Sequence, residues 1–125
     1  MPYPGGGVVA EDAGLEMKDR LRGDLLAALR QKHMRQAKLL RTLIAALDNA
    51  EAPASDVGNG TVQLRFEDGS AEIERKTLSF EQVQSVLTAE LVELESAIAQ
   101  MLRLGNVQRA DELRTQVCLV TRYLA

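Results

Sequence analysis

The chain of 125 residues has no tryptophan, two phenylalanines, two tyrosines, three prolines, one histidine and one cysteine. Each scarcity excludes something. Without tryptophan and with few other aromatics, a core must come from Leu, Val, Ile and Ala, and there is little to stack a row of bases on. One histidine, His33, and one cysteine, Cys118, fall short of the three or four ligands a zinc centre needs. A lone cysteine cannot close an internal disulfide. Cys118 falls off the apolar stripe of its helix and reads as a peripheral small residue. No apolar run approaches the ~18 residues of a membrane span. No basic segment leads into an apolar one, as a secretory leader would. A cytosolic protein without metal or cofactor is the expectation, with no membrane among its partners.

Length supports one domain, and a hydrophobic share of 46% can fill its core. The clearest pattern lies toward the C-terminus. Ser79-Phe80-Glu81-Gln82 fits a capping box, in which the Ser79 hydroxyl accepts from the Gln82 backbone N–H and the Gln82 side chain reaches back. Leu78 and Val83 occupy the positions of a hydrophobic staple. Apolar residues recur at Val83, Leu87, Leu91, Leu94, Ile98 and Met101/Leu102, one face of a 3.6-residue period. Gly105 stops this helix, since glycine takes the left-handed conformation without steric cost. A further helix from about Val107 carries Ala110, Leu113, Val117, Val120 and Leu124, with Asn106 as its cap. The short connection makes these two helices antiparallel neighbours.

Two more helices precede them. The first begins between Glu11 and Met17 and ends near Lys32, with Leu21, Leu25, Ala28 and Leu29 on its stripe. Gly23 weakens it. The second runs from about Met34 to Asn49, with Leu40, Leu43, Ile44 and Leu47 facing the core and Ala37 at the edge. Neither Gly nor Pro separates the two, so a break near His33, a kink or one long helix all fit. Residues 1–14 read as a flexible tail. The Gly5-Gly6-Gly7 run is no phosphate loop, because no apolar strand precedes it and no Lys-Ser/Thr follows. Residues 52–77 form a long insert. Alternation at Val62, Leu64 and Phe66 fits a short β-hairpin, and a mobile loop fits as well. The expected fold is all-α, about four helices in two antiparallel hairpins, with the domain spanning 15–125.

No nucleophile–base arrangement has a supporting motif, and no catalytic residue is assigned. The acidic pairs Glu72/Glu74 and Glu93/Glu95 read as solvated charge. One feature of the charge pattern stands out. Lys18 to Arg41 contains eight Lys or Arg against two Asp, a local excess of +6 in a chain of net charge −3. Arg35, Lys38, Thr42 and Asn49 share a face opposite the Leu40–Leu47 stripe, and Arg30 and Lys32 extend it. Such a strip can meet phosphates by charge attraction and counterion release. An ordinary solvated helix face has the same composition. Arg41 and Glu90, each at the margin of a stripe, are expected to form a semi-buried structural ion pair between helices two and three.

These pieces together resemble the GatB/YqeY domain family. The resemblance is carried by Met17-Lys18-Asp19-Arg20-Leu21-Arg22-Gly23-Asp24-Leu25, Leu40-Arg41 and Ala45-Ala46-Leu47-Asp48-Asn49-Ala50-Glu51. Leu78-Ser79-Phe80-Glu81-Gln82-Val83, Ala89-Glu90-Leu91, Gly105, Ala110-Asp111-Glu112-Leu113-Arg114 and the closing Tyr123-Leu124 carry the rest. It covers roughly Met17 to Leu124, interrupted by the 52–77 insert, and its specificity lies in order and spacing. The resemblance implies a multihelical fold related to the tail of the B subunit of tRNA-dependent amidotransferases. It implies an accessory role near tRNA, or near amidotransferase or synthetase proteins, with the catalytic centre elsewhere. A short form is implied, because longer members continue past the closing Tyr-Leu motif into a second small helical subdomain. The functional expectation is a non-catalytic interaction module that touches RNA phosphates weakly through Arg30, Lys32, Arg35 and Lys38. A protein–protein module that never meets RNA is the alternative, and an amide-nitrogen-transferring enzyme a more distant one. A monomer or weak homodimer is expected.

Overall fold

The computed structural model describes residues 12–52 and 76–124. Four helices follow one another: α1 (Ala13–Arg30), α2 (Met34–Glu51), α3 (Phe80–Arg103) and α4 (Val107–Leu124). They form an all-α domain of two hairpins, α1–α2 and α3–α4, which meet mainly through α3. The β-hairpin expected around residues 61–73 and the tail over residues 1–11 lie outside the described residues. Residues 12–14 differ from the expected tail. The Asp12 side chain accepts from the Leu15 N–H at 3.1 Å, and Ala13 and Gly14 are already helical.

Local signals set each boundary. The Ser79 capping box forms in both directions, with Gln82 N–H to Ser79 Oγ at 3.1 Å and Ser79 N–H to Gln82 Oε1 at 2.8 Å. Asn106 caps α4 by accepting from the Arg109 N–H at 3.1 Å. The α3–α4 turn is a Schellman motif: Gly105 N–H donates to Leu102 O at 3.0 Å and Asn106 N–H to Met101 O at 2.8 Å, with Gly105 at φ +80. The same pair of bonds closes α1, from Lys32 N–H to Leu29 O at 3.1 Å and His33 N–H to Ala28 O at 2.9 Å. Here the left-handed position is held by Lys32 at φ 61. The break between α1 and α2 is therefore a full turn, and it uses a residue that gives no sign of it.

The core joins both hairpins. Leu21, Leu40, Leu43, Leu47, Val83, Leu87 and Val120 are fully buried. Leu94 packs half-buried against them, and Leu113 is buried as well. Each such side chain contributes roughly 1.5–3 kcal/mol by leaving water. Two helices bury more than a single stripe. On α2, Leu39 joins Leu40 and Leu43 inside; on α4, Leu119 and Tyr123 join Val120. Both helices contact their hairpin partner on one side and the opposite hairpin on the other. Tyr123 ties α4 to α1, with its hydroxyl donating to Asp24 Oδ2 and the Arg20 guanidinium 4.7 Å from its ring centroid. Burial, the hydrogen bond to Asp24 and that carboxylate's charge together hold the phenol well above its usual titration range.

A second clamp closes the end where α1 begins, α2 ends and α3 is entered. The Lys18 ammonium donates to Glu51 Oε1 at 2.6 Å and to Asp48 Oδ1 at 2.9 Å. Lys18 and Glu51 are each 4% exposed. Burial pulls the ammonium pKa down, but the bonds to Glu51 and Asp48 and their charges outweigh it, and the net direction is up. Around this pair, Ala13 N–H donates to Leu78 O at 3.1 Å and Lys76 N–H to Glu51 O at 2.9 Å. Gly14 sits inside the junction. A β-carbon there would lie 2.8 Å from Glu51 Oε2 and 3.2 Å from Leu78 Cβ.

Candidate functional site

Three of the four cations of the expected strip line two concavities that share Arg35, and the fourth, Arg30, lies outside both. Arg30 is exposed in the last turn of α1, where its charge complements the helix dipole. It lines neither of the two concavities described next. Lys32 and Arg35 line an open groove of about 720 Å³ between the α1–α2 turn and α4. Arg35 and Lys38 line a smaller depression of about 310 Å³ beside Glu90, Glu93 and Arg109. Arg35 stands between the two and pairs with Glu112 at 3.2 Å, which also takes Arg109 at 3.0 Å.

The larger groove takes its α4 wall from Thr115, Cys118, Leu119 and Arg122. These positions follow the i, i+3, i+4, i+7 spacing of one helical face. Its other wall is the start of α2. His33 is the N-cap there and makes no side-chain capping bond, unlike Asp12, Ser79 and Asn106 at the other helix starts. Met34 is more than half exposed at the rim, and Leu119, 8% exposed, forms the floor. Lys32, Arg35 and Arg122 stand against one carboxylate among the described lining residues, Glu112, which Arg35 shares with Arg109. Gln36, Gln116 and Thr115 add neutral hydrogen-bonding groups. Cys118 is exposed and not disulfide-bonded.

Sequence reading missed Arg122, Met34, Gln116 and Leu119 as neighbours of Lys32 and Arg35. The shared face of 115, 118, 119 and 122 is visible in the helical period, but what that face meets is set by packing between hairpins some 85 residues apart in the chain.

The expected Arg41–Glu90 ion pair does not form among the described residues. The edge of α2 next to Glu90 carries Lys38 and Thr42, and Arg41, about 100° further round the helix, is exposed. Glu90 is half-buried, and burial together with the charge of Glu93 raises its carboxyl pKa. The buried pair that does form, Lys18–Glu51, joins α1 to α2 instead.

Among the described residues, no three His, Cys, Asp or Glu side chains are grouped to hold a metal ion. No helix among them is long and apolar enough to cross a membrane. Comparison with family models, curated proteins and solved structures yields no match to this chain.

Proposed function

We propose that this protein is a non-catalytic interaction module of the GatB/YqeY kind, working beside tRNA or the tRNA-dependent amidotransferase pathway. In this reading Lys32, Arg35 and Lys38 meet RNA phosphates, Arg122 joins them from α4, and Arg30 contributes at the edge. The observation that carries the reading is the gathering of Lys32, Arg35 and Arg122 around one open groove whose one carboxylate among the described residues, Glu112, is already paired. Positive charge so placed attracts a polyanion and positions it without reading sequence. Glu90 and Glu93 beside Lys38 keep the attraction modest.

The test is titration of mixed tRNA at two salt concentrations, with the natural protein and an Arg35→Glu/Lys38→Glu variant. Three to five phosphate contacts lower affinity roughly 40- to 500-fold between 50 and 200 mM salt. The double variant is expected to lose most binding at the lower salt. Equal binding by both proteins would remove the RNA surface.

A protein–protein reading is favoured by a different observation. Leu102, Leu104 and Val107 are 43%, 72% and 57% exposed at the α3–α4 turn. Retention of a protein rather than RNA in a pull-down, lost on Leu104→Asp, would establish it.

A further inference from the structure

We infer that the groove between the α1–α2 turn and α4 is a binding site for a single nucleotide unit, either a free nucleoside monophosphate or an unpaired nucleotide of an RNA. The inference rests on the phosphate-binding reading above and gives that site a ligand.

Volume is the first argument. A strip that only follows a phosphate backbone needs no concavity. This groove, at about 720 Å³, lies within the ~300–1,000 Å³ range of small-molecule sites and is far larger than a phosphate group requires. The lining chemistry is the second. A nucleotide presents an anionic phosphate (two charges in a free monophosphate, one in an RNA diester), a flat apolar base face and a polar base edge. Lys32, Arg35 and Arg122 supply charge for the first. The exposed Met34 side chain and the Leu119 floor supply apolar surface for the second. The His33 imidazole and the arginine guanidinium planes can also stack on a base, as in single-strand recognition. Gln36, Gln116 and Thr115 supply donors and acceptors for the third. All three classes line one concavity, whereas the smaller depression mixes Lys38, Arg35 and Arg109 with Glu90 and Glu93. A duplex offers only its backbone to a site of this kind, because its base faces are stacked away. The groove therefore favours unpaired nucleotides.

The experiment follows backbone amide shifts of the full chain while adding UMP, AMP, uridine or inorganic phosphate, each to about 10 mM, and then a single-stranded and a duplex RNA oligonucleotide. UMP or AMP is expected to shift Met34, Thr115, Gln116 and Arg122 together, with a dissociation constant of roughly 0.01–1 mM. Uridine and inorganic phosphate should each bind at least about tenfold more weakly than the nucleotide, since each lacks part of the complement. Arg122→Glu and Lys32→Gly should each weaken the nucleotide by about tenfold. Lys32→Gly removes a cation at a position that glycine suits, so loss of binding there is not loss of fold. Silence of the groove amides with both nucleotides, or inorganic phosphate binding as tightly as the nucleotide, would overturn the inference. Preference for single-stranded over duplex RNA supports it, and the reverse preference opposes it. Transfer RNA added to the same samples separates the two readings. Binding of tRNA that shifts the groove amides, when UMP and AMP leave them silent, sinks the nucleotide site alone, and groove occupancy by UMP without tRNA binding sinks the RNA role alone.

Discussion

Gly14→Ala and Gly23→Ala make the same chemical change on the same helix, and the structure gives them opposite signs. Gly23 is exposed in the middle of α1, and a β-carbon there meets nothing within 4 Å. The helix-propensity difference acts alone, so Gly23→Ala stabilises by about 0.8–1 kcal/mol. For a domain of this size that raises Tm by about 4 °C. Gly14 is buried in the first turn of α1. Propensity again favours alanine there by at most about 1 kcal/mol. Against it, the new methyl would sit 2.8 Å from Glu51 Oε2, 3.2 Å from Leu78 Cβ and 3.3 Å from Leu78 Cδ1. Neither neighbour yields easily. Glu51 is held by Lys18 at 2.6 Å, and Leu78 is 3% exposed. Overpacking of this kind costs roughly 1–3 kcal/mol, so the net expectation for Gly14→Ala is a loss of about 1–2 kcal/mol. Urea unfolding followed by far-UV circular dichroism measures both variants, and an unchanged m-value shows that the two-state comparison is sound. The sites are nine positions apart on one helix and share no neighbour, so the double variant should show additive effects. If Gly14→Ala stabilises as much as Gly23→Ala, the junction of α1, α2 and Leu78 is not closely packed and the reasoning fails.

The remaining predictions concern the Lys18 clamp and the two turns. Lys18→Met removes a buried ammonium bonded to both Glu51 and Asp48 and is expected to cost about 2–4 kcal/mol in chemical denaturation. Lys18 and Tyr123 both hold their protons more tightly folded than unfolded. Their contribution is complete below about pH 10 and is lost as pH rises through their folded pKa values, so Tm should fall on the alkaline side. Lys18→Met should flatten part of that fall, and an identical alkaline profile would contradict the assignment. At the turns, Lys32→Gly relieves a left-handed lysine and should stabilise by about 0.5–1 kcal/mol after the entropy of glycine in the unfolded chain is counted. Gly105→Ala places a side chain at φ +80 with no neighbour in the way, and should destabilise by about 1 kcal/mol on backbone grounds alone.

What could be read in the sequence follows from what is local. Ser79, Gln82, Gly105 and Asn106 act within a few residues of themselves, and their caps and turn appear in the structure as read. The stripes of α1 and α3 were legible because their inward apolar residues recur at one helical period. Leu39, Leu119 and Tyr123 were not, because they lie on second faces of α2 and α4 that are buried only when the hairpins meet. The α1–α2 break was hidden because lysine at a left-handed position has no signature of its own. Its hydrogen bonds are those of the glycine turn, and only the backbone reveals them. Charge pattern located Lys32, Arg35 and Lys38, yet it could not show that Glu112 shares Arg35 or that Arg122 completes a groove. The Arg41–Glu90 pairing failed for a related reason. A helical wheel gives an angle for each residue, and the rotation of one helix against another decides which angles coincide.

The backbone bond from Lys76 N–H to Glu51 O, 2.9 Å long, returns the chain to the place where it left α2. The end of α2 and the approach to α3 thus meet at one doorway of the helical body. Doubling the length of such a connection adds only about 0.6 kcal/mol of closure entropy. A change of chain length between these two fixed ends therefore leaves the registry of the four helices nearly untouched.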